Sequence, residues 1–325
     1  MPDRQVLTQI SPVAWEHPAD RAALNTLRAL PGFDELVRKV MSLLGERGVR
    51  HLFTANAVRV GPRQRPRLDA LYADVLATMD WPERPDLYVA QTPVANAMAV
   101  GFQSPFIVVN SGALALLQPE EQRVILGHEL GHIMSGHATY TTLAILILRI
   151  GLSSVPGLGL VALPIQLALL EWYRKAELSS DRAGLLATQD TEASMRLFLK
   201  FAGGTTTDDE TSLEEFLAQA REYETGGGAL DMVLKVLNVA FETHPFNTVR
   251  AAELQRWIES GAYARIVGGD YPRRGDEGAQ PLVDDYAEAA GYYRTQARSA
   301  MDQVSDALAR ARDAFADAFR SAGTK

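Results

Sequence analysis

One stretch constrains this chain more than any other: Val124-Ile125-Leu126-Gly127-His128-Glu129-Leu130-Gly131-His132. Histidines four residues apart share one face of an α-helix, so His128 and His132 can turn both imidazoles toward a single ion. Glu129 stands beside them, where its carboxylate reaches a water held on that ion. The H-E-x-x-H pattern therefore asks for a helix, and the chain provides the start of one. In Gln118-Pro119-Glu120-Glu121, proline takes the first helical position and two carboxylates sit in the first turn. Two buried structural histidines on a core helix would be the bland alternative, and that alternative leaves Glu129 unexplained.

A hydrolytic zinc takes three protein ligands and keeps its fourth position for water. The longer pattern H-E-x-x-H-x-x-G-x-x-H needs a glycine three residues after His132 and a histidine six after it. Those positions hold Ser135 and Ala138, and His137 is one residue off, so that class is excluded. The third ligand is then expected to be a glutamate from a later helix: Glu171, Glu177 or Glu192. Only Glu177 is followed by an aspartate four residues on, Asp181, which shares its helical face and can accept the free N–H of a ligating histidine. Glu171 has Lys175 at that spacing and Glu192 has Arg196. Glu177 is favoured over the competing picture, a solvated carboxylate pair in an ion-pair network with Arg174 and Arg182.

Composition narrows the rest. With 32 Lys+Arg against 40 Asp+Glu, the net charge of −8 argues against a broad nucleic-acid surface. The absence of cysteine removes disulfides, thiolate ligands and a thiol nucleophile, and suits a reducing compartment. The opening MPDRQVLTQISPVAWEHPAD is charged and broken by prolines, with no apolar h-region, so a cytoplasmic location is expected rather than export by a standard signal peptide.

Periodicity predicts an α+β chain, predominantly helical. A helical segment occupies 1–60, interrupted at Pro31-Gly32 and stopping at Gly45 and Gly48. The body follows over 61–266. It has a basic loop at Gly61–Arg67 read as solvated, a helix over Leu68–Met79, and three β-prone runs at Leu87–Ala90, Ala95–Phe102 and Phe106–Asn110 read as a small antiparallel sheet. A linker over 267–282 leads to a long amphipathic helix over 283–325. Its stripe of Ala290, Tyr293, Ala297, Met301, Val304, Leu308, Ala311 and Phe315 packs back on the body or, through 290–319, on a second copy.

Between the candidate ligand helices, Ile150–Leu170 runs 21 residues without a formal charge. A single crossing would put His132 and Glu177 on opposite sides of a membrane. Split at Ser153–Gly159, each limb falls short of the ~20 residues a spanning helix needs. The segment is expected to form a helical hairpin on the body, with peripheral membrane contact through 143–170 as its other use.

Four ordered motifs together resemble a known family: Asn96-Ala97-Met98-Ala99, the His128–His132 core, Glu177-x-x-x-Asp181, and His244-Pro245 followed by Arg250. From about Leu87 to Leu254 the chain is similar to the HtpX-type and CAAX-prenyl-endopeptidase-type zinc metallopeptidases, among the Glu-liganded zincins. The resemblance implies a zincin-like catalytic domain with one Zn2+ per chain, held by His128, His132 and Glu177. It makes Glu129 the general base and acid, and Asp181 the partner behind a ligand. Asn96, Ala97, Met98 and Ala99 would hold an extended polypeptide substrate by main-chain hydrogen bonds. His244 and Arg250 would stand near the cleft, where a cation or imidazole stabilises an oxyanion; the alternative for Arg250 is a structural ion pair. The expected function is zinc-dependent endopeptidase. A catalytically silent peptide-binding or scaffolding protein on the same fold is the alternative, and an intact Glu129 speaks against it.

Overall fold

The structure is a computed structural model that describes residues 4–30, 33–150, 162–204, 211–225 and 246–275. Helices α1 (Pro18–Arg28) and α2 (Phe33–Thr54) lead into β1 (Ala57–Arg59) and α3 (Pro66–Thr78). Strands β2 (Leu87–Ala90), β3 (Ala97–Val100) and β4 (Phe106–Asn110) follow, then the short α4 (Ser111–Leu116). The remaining helices are α5 (Pro119–Met134), α6 (Ala138–Ile150), α7 (Ala162–Thr188), α8 (Thr191–Gly203), α9 (Leu213–Thr225), α10 (Asn247–Glu259) and α11 (Ala262–Val267). The chain is thus α+β and mostly helical.

The four strands lie in the order β1-β2-β4-β3. The β3–β4 pair is an antiparallel hairpin, but β2 and β4 run parallel, with Leu87 opposite Ile107 and Ala90 opposite Asn110. The expected antiparallel sheet is therefore mixed. The reason is positional: the link after β2 carries the chain past one strand site, and β4 folds back into it. All five residues of β4 are buried, as an unbroken apolar run in an interior strand should be. This insertion leaves β3 at the sheet edge. β1 is short and largely exposed, so it carries no apolar signal.

Alternation along the strands divides the interior. Leu87, Val89, Ala97, Ala99, Ile107 and Val109 face one core, shared with α3, α5 and α8. Val100, Phe106 and Val108 face a second, shared with α1, α2, α6 and α7. That second core holds Val49 and Phe53, which explains why α2 only kinks at Gly45 (φ 60°) and continues past Gly48, where a stop was expected. The two described limbs of the expected hairpin bury Leu143, Leu146, Ile147, Ile165 and Leu169 in the same core; its turn, 151–161, lies outside the described residues. Among the described residues, no helix is long and apolar enough to cross a membrane. The expected C-terminal helix over 283–325 also lies outside them.

Helix α5 starts where the sequence places it. Pro119 is its first residue, and Gln118 and Glu121 form a capping box in which the Gln118 N–H donates to Glu121 Oε2 at 2.7 Å. Glu121 is itself buried and binds Lys200 Nζ at 2.9 Å, tying this end of α5 to α8. At mid-length α5 crosses α7 antiparallel, with Gly131 against Ala183 and Gly127 against Ala187. Even a methyl group on either glycine would hold the two helices apart there.

Candidate metal centre

That close crossing brings one face of α5 over one face of α7. His128 Nε2 and His132 Nε2 are 3.2 Å apart, Glu177 Oε1 is 3.2 Å from His132 Nε2, and Glu177 Oε2 is 3.6 Å from His128 Nε2. All three residues are buried, and one ligand atom from each lies within 4.8 Å of the others. Ligand atoms around a tetrahedral zinc with bonds of about 2.0–2.1 Å stand roughly 3.3–3.4 Å from one another. The spacing and the donor set, two imidazoles and a carboxylate, both fit such an ion. Burial pushes the His132 pKa down to about 4, which keeps that imidazole in the neutral form a metal requires.

Each histidine is held from behind. His128 Nδ1 is 3.0 Å from Asp181 Oδ1. Asp181 in turn takes both arms of Arg250, from Nε to Oδ2 at 2.9 Å and from Nη2 to Oδ1 at 2.5 Å. Burial opposes the charge on Asp181, but the Arg250 guanidinium outweighs it and holds the carboxyl below its usual range. Arg250 Nη2 also lies 3.5 Å from Glu177 Oε2, and its guanidinium sits over the Phe198 ring at 5.1 Å. On the other histidine, Tyr173 stacks with its ring 6.4 Å from the His132 ring.

A cleft of about 340 Å³ opens over this cluster. His128, Glu129, Glu177, Asp181 and Arg250 line its floor, Val124, Ile125, Leu197, Phe201 and Phe246 line apolar walls, and Asn96 and Ala97 lie at one side. Glu129 is 4% exposed and contributes to the floor next to His128. Of the other edge-strand residues, Ala99 faces the first core and Met98 packs on the second. Two of the three candidate glutamates stay on the surface: Glu171 pairs with Arg174 and Lys175, and Glu192 with Arg196. His244 lies outside the described residues.

Sequence reasoning missed one part of this centre. His137, set aside on spacing, lies directly behind His132, with the two Nδ1 atoms 3.2 Å apart. A helix stop puts it there. Gly136 adopts φ +69°, its N–H donates to Ile133 O at 3.0 Å, and the His137 N–H reaches back to His132 O at 2.8 Å. The glycine after α5 was the available signal. Asp20, which meets the far side of His137, could not have been found from spacing at all.

A fold of this kind with a buried His-His-Glu cluster under a cleft describes a metallopeptidase, and the sequence comparisons agree. The chain belongs to peptidase family M48, whose family profile matches residues 62–258. It is similar to plastoglobule-localized metallopeptidase 48 of Arabidopsis thaliana, with 33% identity over 258 residues that cover 78% of this chain and 74% of that relative. Shorter likenesses join it to a protease HtpX homolog of Moorella thermoacetica (36% identity, 29% of this chain and 31% of the relative) and one of Thermoplasma acidophilum (40% identity, 15% and 16%). The resemblance to HtpX-type metallopeptidases carried by the motifs is borne out. No solved structure matches the chain. Membership of this family implies a metal and a polypeptide substrate.

Proposed function

We propose that the chain is a zinc-dependent endopeptidase in which His128, His132 and Glu177 hold one zinc ion and Glu129 is the general base and acid. One observation carries this reading: three buried ligand atoms of the right chemistry, 3.2–3.6 Å apart, under an open cleft. When bound, zinc supplies Lewis-acid polarisation of the scissile carbonyl and of the attacking water. Glu129 takes the proton of that water on its carboxylate and returns it to the leaving amine. Asp181 accepts the Nδ1–H of His128 and keeps the Nε2 lone pair turned inward. Arg250 holds Asp181 in place, and its nearness to the cleft supports a second duty toward an oxyanion. Among the described residues β3 lies at the sheet edge, which favours an extended peptide bound through its main chain beside Asn96 and Ala97.

The test is cleavage of casein with zinc present, comparing wild type with Glu129→Gln. Wild type should cut, and the variant should retain zinc and lose cleavage by a factor on the order of 10²–10⁴. Cleavage at equal rates by both would overturn the role of Glu129. Failure of the wild type to bind zinc would overturn the reading as a whole.

A further inference from the structure

Behind His132, on the side of the ring away from Nε2, three groups from separate parts of the chain form a buried line. His132 Nδ1 is 3.2 Å from His137 Nδ1, and His137 Nε2 is 3.2 Å from Asp20 Oδ2. The same Asp20 oxygen accepts from Ser179 Oγ at 2.6 Å, and Ser179 Oγ accepts the His17 N–H at 2.9 Å. Asp20, His137 and Ser179 are each 2% exposed or less, so solvent does not compete for these contacts. The rings of Trp172 and His137 meet nearly at right angles with centroids 5.6 Å apart.

We propose that Asp20 and His137 form a positioning relay that fixes His132 as its Nδ1–H tautomer, leaving the Nε2 lone pair for the metal. The inference rests on the reading of His132 as a ligand and follows from counting protons. Two ring nitrogens in contact share one hydrogen, so one must donate and the other accept. An ionised carboxylate only accepts, so Asp20 takes the N–H of His137 at Nε2. With His137 neutral, its Nδ1 is then an acceptor, and the shared proton belongs to His132 Nδ1. Without this acceptor, a buried neutral His132 is free to carry its proton on Nε2, where it must be expelled before a metal bond can form.

The relay gives the N-terminal helix a place in the centre. Asp20 lies on α1, outside residues 62–258 that the family profile matches. Ser179, two residues after Glu177 on α7, fastens that helix to the one that carries the third candidate ligand.

The experiment is zinc affinity, measured by competition with a chromophoric chelator on the full chain, for wild type, His137→Leu and His137→Gln. Leucine fills the space and accepts nothing; glutamine can accept from His132 through its carbonyl and donate to Asp20 through its amide. Loss of a partner behind a ligand weakens binding by about 10–100-fold, so the leucine variant should fall by that factor and the glutamine variant should stay close to wild type. Equal binding by wild type and the leucine variant, or equal loss in both variants, overturns the relay. If His137→Leu does not fold, nitrogen NMR of the wild-type imidazoles in the metal-free chain decides. Protons on His132 Nδ1 and His137 Nε2 support the relay, and a proton on His137 Nδ1 overturns it. A wild type that takes up no zinc overturns the reading of the site instead, and the NMR result still judges the relay by itself.

Discussion

The crossing of α5 and α7 can be tested at a single atom. A Cβ added to Gly131 would lie inside 3.0 Å of the Ala183 Cβ, while its next neighbours, Ser180 Cα and O, would stand at an ordinary 3.6 and 3.8 Å. Carbon atoms settle at about 3.5–4.0 Å, so the helices must separate by about 1 Å to admit it. Overpacking of this kind costs about 1–3 kcal/mol, whereas alanine in place of glycine inside a helix returns about 1 kcal/mol. Gly131→Ala should therefore lose up to about 2 kcal/mol, a fall in Tm of roughly 2–4 °C per kcal/mol in a domain of this size. The candidate ligand atoms now 3.2–3.6 Å apart should also spread, and zinc affinity should drop with stability. Ala183→Gly removes the single obstructing atom. The double variant should return near wild type in both respects, because the helix propensities of the two changes cancel and the coupling between them equals the clash. Unfolding of the metal-free chain and chelator competition read the two effects separately. A Gly131→Ala variant with both stability and zinc affinity unchanged, or a double variant worse than the single, would refute the idea that this glycine sets the distance between the two helices that carry the candidate ligands.

Glu177→Ala should lose zinc, while Glu171→Ala and Glu192→Ala should keep it, since those two carboxylates are spent on surface pairs; metal content after dialysis gives the answer. Arg250→Met should destabilise the metal-free chain by about 3–5 kcal/mol, because it strands the buried Asp181 carboxylate; denaturant unfolding measures this, and an unchanged midpoint would show that Asp181 is satisfied without the guanidinium. His17 caps α1, its Nδ1 accepting the Ala19 N–H at 3.1 Å, and burial holds its pKa well below the ordinary value. Between the two values the unfolded chain binds a proton that the folded chain refuses. Stability from this group is therefore full above about pH 6.5 and falls below it by up to about 1.4 kcal/mol per pH unit. His17→Asn keeps a capping oxygen and should flatten the unfolding profile between pH 5 and 7; identical profiles would rule out this group.

Much of the centre was legible because its information is local. The i,i+4 pair His128/His132, the capping signals at Gln118-Pro119 and the pair Glu177/Asp181 each lie within one or two helical turns, and helical periodicity converts such spacing directly into a shared face. The same holds for the three strand segments, of which Leu87–Ala90 and Phe106–Asn110 match the observed bounds. Strand order did not follow. A parallel β2–β4 pair depends on where a link crosses the sheet, and apolar alternation is blind to the direction of a neighbour. The kink at Gly45 shows the same limit, since burial of Val49 and Phe53 overrides a local stop signal.

What the sequence determines by itself is thus the chemistry available: two imidazoles, a carboxylate beside them, a glutamate backed by an aspartate, and no thiol. Tertiary structure alone decides that Arg250 reaches Asp181 from 69 residues away and that Asp20 stands behind His132 through His137. Those contacts depend on the distance between helices, and that distance is set by the small residues at the α5–α7 crossing and by two cores on either side of the sheet, neither of which is encoded in the spacing of any one helix.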